Sequence, residues 1–82
     1  MTLMNAVMTL EDAAWNESLR VTGFTSLGET DRARLSGMGL HVGETVVKLL
    51  AAPLGDPVEC LVGQQLLALE RGLVARIRVA PL

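Results

Sequence analysis

Aromatic side chains are nearly absent from this 82-residue chain: Trp15 and Phe24 are the two, and there is no tyrosine. Its core therefore has to be built from Leu, Val, Ile, Ala and Met. The scarcity also excludes proline-rich peptide recognition, which grips a polyproline helix in an aromatic-lined groove. A basic excess is missing as well. Seven Lys and Arg stand against nine Asp and Glu, a formal charge of −2. Nucleic-acid binding draws most of its affinity from phosphate neutralisation, so no nucleic-acid partner is expected. The single cysteine, Cys60, has no partner for an internal disulfide, which suits a reducing compartment. No apolar run approaches the roughly 18–20 residues that span a bilayer, so no direct membrane insertion is expected. The opening Met1–Met8 has no basic residue, and Glu11 and Asp12 close it quickly, unlike a signal peptide. A cytoplasmic location is the expectation.

The residue types that carry chemistry are equally thin. Structural zinc takes four N or S ligands and catalytic zinc three plus water. This chain offers one histidine, His41, and one cysteine, without a second His or a CxxC pair. No metal site within the chain is expected; a weak site shared between chains, with His41 as one ligand, is the only candidate. Cys60 falls on the apolar face of a strand, where its thiol stays protonated and inert. No Ser lies in a nucleophile elbow, and Gly63 and Gly72 form no phosphate loop. No catalytic residues and no cofactor are expected, and the chain reads as a binding module rather than an enzyme.

At this length there is room for one core. Residues 1–9 read as an N-terminal extension, since Met1-Thr2-Leu3 is echoed by Met8-Thr9-Leu10 and translation could begin at Met8; the domain spans 10–82. Leu10 to Trp15 allows one helical turn, and Leu19 to Thr25 reads as a strand. The clear helix lies between Ser26 and Met38. Ser26 to Glu29 matches a capping box, and Thr30 is a second potential N-cap. Leu35 and Met38 share its buried side. Gly39 suits a left-handed stop, with Leu40 returning to touch Leu35. A turn at 41–44 follows, then strands over Thr45–Ala52, Val58–Val62 and Gln65–Leu69. Pro53-Leu54-Gly55-Asp56-Pro57 separates the first two. Glu70-Arg71-Gly72 opens a short helical turn, and Arg76–Val79 closes with Ile77 and Val79 inward. The expected fold is mainly β: a small, partly open SH3-like barrel of about five strands, with one side helix and a short C-terminal helical turn. A plain five-stranded meander is the alternative.

Aliphatics are in surplus. Leu49 and Leu50, Leu61 and Val62, and Leu66 and Leu67 put apolar residues on both sides of their strands. Some should lie under the helix or the N-terminal segment, and the rest suit a docking surface or a homo-oligomer contact.

The stretch Arg34-Leu35-Ser36-Gly37-Met38-Gly39-Leu40-His41-Val42-Gly43, followed by Ala52-Pro53-Leu54-Gly55-Asp56-Pro57, resembles the FeoA family. Gly63, Leu67-Ala68-Leu69 and Ile77-Arg78-Val79 extend the likeness over about residues 10–80. Val42 departs from the family's usual proline, and Glu70 from a frequent arginine. The resemblance implies an SH3-like accessory protein of ferrous iron transport. It implies docking on the FeoB-type membrane transporter, through its GTP-binding domain. Partner-binding residues expected on that basis are Arg34, Met38, Leu40, His41, Leu54 and Asp56. The competing readings are a stand-alone regulatory or metal-responsive module and a homo-oligomeric interaction module.

Overall fold

The computed structural model describes residues 8–82. Five strands and two short helices follow in the order β1 (Leu19–Phe24), α1 (Glu29–Gly37), β2 (Thr45–Ala51), β3 (Val58–Val62), β4 (Gln65–Leu69), α2 (Arg71–Val74) and β5 (Ile77–Pro81). All pairings are antiparallel, and the sheet runs β4-β3-β2-β1-β5. It is an SH3-like sheet that curls without closing, with β4 and β5 at its edges. Two irregularities bend it. The β1–β5 register shifts between Val21 and Gly23, and the β2–β3 register shifts between Lys48 and Leu50. Extra residues in one strand increase its local bend and twist, which lets five short strands wrap a single core.

Side-chain alternation sets the inner face. Leu19 and Val21 of β1, Val58, Cys60 and Val62 of β3, and Ile77 and Val79 of β5 are buried, with Val46 of β2 and Leu69 of β4. Leu35, Leu40, Leu73, Val74, Leu10 and Ala13 fill the open sides. The inward positions of β1, β3 and β5 agree with the sequence pattern. One inward position of β2 does not fit a hydrophobic pattern at all: Lys48 is buried.

The sheet reaches further back than the expected boundary at residue 10. The Val79 N–H donates to the Met8 carbonyl at 2.9 Å, the Leu10 N–H to the Ile77 carbonyl at 2.8 Å, and Thr9 bridges Arg78. Met8 and Thr9 thus cover the β5 edge, and the extension reading is left with residues 1–7, which lie outside the described residues. The 10–15 segment is a turn rather than a helical turn. Asp12 and Ala13 donate to the carbonyls three residues before them, and the Thr9 hydroxyl donates to the Asp12 carboxylate. That leaves too few residues for a helical nucleus.

Helix α1 begins without either expected cap. Gly28 is its N-cap and no side chain bonds the first turn. Ser26 adopts φ 55°, turning the chain out of β1 three residues before the helix, and Thr30 lies inside the first turn. The C-terminal end follows expectation. Gly39 sits at φ +88°, the Leu40 N–H donates to the Leu35 carbonyl and the Gly39 N–H to the Ser36 carbonyl. These are the two hydrogen bonds of a Schellman stop.

Candidate functional site: the two ends of strand β2

Two ordered loops flank β2. At its start, the 41–44 turn closes with the Glu44 N–H on the His41 carbonyl at 3.0 Å. It docks on β1 through Gly43 N–H to the Val21 carbonyl and Val21 N–H to the Glu44 carbonyl. Arg20 donates to the Gly43 carbonyl from outside. At the other end of β2, the Gly55 N–H donates to the Ala52 carbonyl at 2.7 Å and the Ala52 N–H to the Pro57 carbonyl. The Asp56–Pro57 peptide is cis.

Arg71, the first residue of α2, organises this second loop. Its backbone N–H donates to Asp56 Oδ1 at 3.0 Å, so Asp56 caps the short helix from a distant part of the chain. Its guanidinium lies over Gly55, within 2.7 Å of where a Cβ would stand, and donates to Glu11 Oε2 through Nε and Nη2. Gly55 also has φ +89°, a backbone conformation that favours glycine. The loop so held presents Leu54, 96% exposed.

The expected partner-binding residues separate. Arg34 pairs with Glu70 Oε2 at 3.6 Å and so lies beside the Glu70–Arg71 corner, near which Asp56 and Leu54 also sit. His41 is exposed, but on the turn before β2, about 20 Å of strand from the 53–57 loop. Met38 is half-buried and packs on the core. Leu40 is withdrawn from any surface role: it is 2% exposed, because the Schellman turn folds it back into the core beside Leu35. Asp56, exposed as expected, already has a structural task in capping α2.

Between the 11–15 turn and the 53–57 loop lies a small cleft, lined by Glu11, Trp15, Lys48, Ala51, Gly55, Val58, Arg71 and Val74. Lys48 is the residue that sequence reading missed. It is 4% exposed; its Nζ donates to the Glu11 carbonyl at 3.1 Å and lies 4.5 Å from the Trp15 ring centroid. No carboxylate comes within salt-bridge distance of it among the described residues. Burial of an ammonium carries a penalty of several kcal/mol even after relaxation. The Trp15 face offsets about 2 kcal/mol and the charged hydrogen bond about 1.5–3 kcal/mol. The charge is therefore tolerated but uncompensated by an opposite charge, and two of its three donors have no acceptor among the described residues. Its strand carries apolar residues at both parities, so the sequence does not mark position 48 as inward.

Cys60 pairs in register with Lys48 and is fully buried. Burial pushes its thiol up to about 11, with the Lys48 charge opposing the rise. It is a core residue, as its strand position suggested. No group of three or more His, Cys, Asp or Glu converges as a metal site among the described residues. Nor is any helix there long and apolar enough to cross a membrane.

The outer face of the sheet carries the surplus aliphatics. Val47, Leu61 and Leu66 stand in one row across β2, β3 and β4, and Leu50, Glu59 and Ala68 in the next but one. Leu50 and Leu66 are exposed, and Val47 and Leu61 are half-buried.

These features define a small, mainly β domain of SH3-like architecture with one rigid apolar-tipped loop and a cationic cleft beside it. The FeoA domain model matches residues 8–81, and the chain belongs to the FeoA family. FeoA of Chlorobium tepidum is 32% identical with a TM-score of 0.82, over 92% of this chain and 70% of its own. FeoA of Stenotrophomonas maltophilia, a procaryotic SH3 domain protein solved with zinc, is 29% identical with a TM-score of 0.73, over 89% of each chain. The manganese-activated repressor ScaR shares the fold alone: 21% identity and a TM-score of 0.79, over 92% of this chain and 35% of ScaR. None of the curated proteins matches this chain.

Proposed function

We propose that this chain is a cytoplasmic accessory protein of ferrous iron transport that docks on a FeoB-type membrane transporter, through its GTP-binding domain, and modulates iron uptake. Membership of the FeoA family supports the transport role. The observation that carries the docking role is the 53–57 loop. It holds a 96% exposed leucine on a backbone fixed by Arg71, Asp56 and Glu11. A side chain exposed this far contributes nothing to the core, and a loop already ordered loses little entropy on binding. Arg34, beside Glu70, flanks the same corner and supplies the charged member of the surface. Met38 and His41 lie outside the surface so drawn.

The test is retention of the purified transporter GTP-binding domain by this protein, with and without a GTP analogue. Wild type should retain it and a folded Leu54→Asp variant should not. Equal retention by both would remove the loop from the interface.

A second reading is self-association through the outer face, favoured by the row Val47, Leu61 and Leu66. Sedimentation over a range of concentrations decides it, since a strictly monomeric protein is incompatible with that reading. The zinc held by the Stenotrophomonas protein adds a metal-responsive variant of it, in which His41 would contribute from each of two chains.

A further inference from the structure

We infer that the cleft beneath the 53–57 loop receives a carboxylate, carried on an acidic side chain of a docking partner; this rests on the docking reading above. Lys48 is the only lysine of the chain, and it points into the fold from an inward position of β2. Its ammonium reaches the cleft floor, where the Glu11 main-chain carbonyl and the Trp15 face are its partners. Among the described residues no carboxylate lies within salt-bridge distance of it. Glu11, the one acidic residue lining the cleft, pairs instead with Arg71, which gives its Oε2 two donors. Asp56 is turned to the Arg71 backbone and lies outside the lining. Residues 1–7 contain neither Asp nor Glu. Two cations therefore face the cleft against one carboxylate, in a protein whose net charge is −2.

The dimensions select the ligand. A cavity of about 50 Å³, room for a few waters, is on the scale of a carboxylate with its methylene. The rim selects its setting. Trp15 is half exposed on one side, and Leu54 follows Pro53 and precedes the lining Gly55 on the other. An acidic side chain entering between them brings its apolar sequence neighbours onto both. Incoming carboxylate oxygens would accept from the two unused Lys48 donors and from the outer guanidinium edge of Arg71.

The chain supplies its own reporters, since Trp15 is the only tryptophan and Lys48 the only lysine. Full-length protein is titrated with acetyl-Leu-Asp-amide, acetyl-Leu-Asn-amide and acetate. Trp15 emission and the single lysine ε-methylene NMR signal are followed. The Asp peptide should shift both saturably and the Asn peptide neither. Lys48→Met should weaken the Asp peptide at least tenfold. Should that variant fail to fold, Arg71→Gln should weaken it several-fold with the circular dichroism unchanged. Absence of a saturable shift, or an equal response to the Asn peptide, overturns the inference. Acetate binding as tightly as the Asp peptide overturns the partner source. Saturable binding of the Asp peptide without retention of the transporter domain would leave the cleft standing and sink the docking reading instead.

Discussion

At the start of β2 the chain is held mainly by main-chain hydrogen bonds, and at the end of β2 by charged side chains far away in sequence. The Schellman stop at Gly39 and the 41–44 turn close on main-chain groups within a few residues, the turn docks on the Val21 main chain of β1, and Gly39 and Gly43 supply positive φ. The 53–57 loop takes one local turn and then depends on Arg71 and Glu11, fifteen and more residues away. A loop held by its own backbone is fixed once the fold forms. One held by charged side chains can be loosened without unfolding the protein, which suits a surface that meets a partner.

Substitutions at the two ends should separate these modes of support. The largest effect is expected from Leu40→Ala, which leaves a cavity beneath the helix stop and should cost about 2–5 kcal/mol in urea unfolding. For a domain of this size that is a large share of total stability. A loss well under 1 kcal/mol would mean that the start of β2 is not anchored by its core leucine.

The centre of the strand pair gives a pH test. The Cys60 thiol is raised from 9.0 to about 11 by burial, so the folded state holds its proton more tightly than the unfolded chain. Stability from this group is complete below about pH 9 and is lost as pH rises towards 11, on the order of 2 kcal/mol in all. A Cys60→Ala variant, less stable at neutral pH, should show a flatter decline over that interval. A parallel decline in both proteins would assign the loss to other groups.

Gly39→Ala forces a side chain into a left-handed position and should cost about 1–2 kcal/mol, lowering Tm by several degrees. Asp56→Ala should cost about 1 kcal/mol, as cap removal does, and should speed amide exchange at the Arg71 N–H with little change near Gly39. Exchange rising equally at both ends would erase the distinction between them. Leu54→Asp is the smallest, within about 0.5 kcal/mol of wild type, because the side chain packs on nothing.

Strands β3, β4 and β5, the 53–57 turn and the helix stop were legible because each depends on alternation or on Gly and Pro within a short window. The missed helix start shows the limit of that reasoning. Ser26 to Glu29 has the composition of a capping box, yet the chain spends Ser26 on leaving β1, where the Arg76 side chain holds its carbonyl at 3.1 Å. The family resemblance puts Leu40 in a partner surface while the helix stop returns it to Leu35; which of the two a residue after a Schellman stop does depends on what lies beneath it. Lys48 was invisible for a similar reason. A lysine in a strand is ordinarily solvated, and only the Trp15 ring and the Glu11 carbonyl make its inward position tolerable.

By itself, the sequence determined the aliphatic core, the element order, the glycine positions and the FeoA likeness, all of which are local or compositional properties. Tertiary structure alone decided that Arg71 would join Asp56, Gly55 and Glu11, that His41 and Leu54 would lie at opposite ends of one strand, and that the single lysine would face inward. Those outcomes depend on pairings between residues tens of positions apart, and a side chain's partner across such a distance is set by how the sheet curls rather than by its neighbours in the chain.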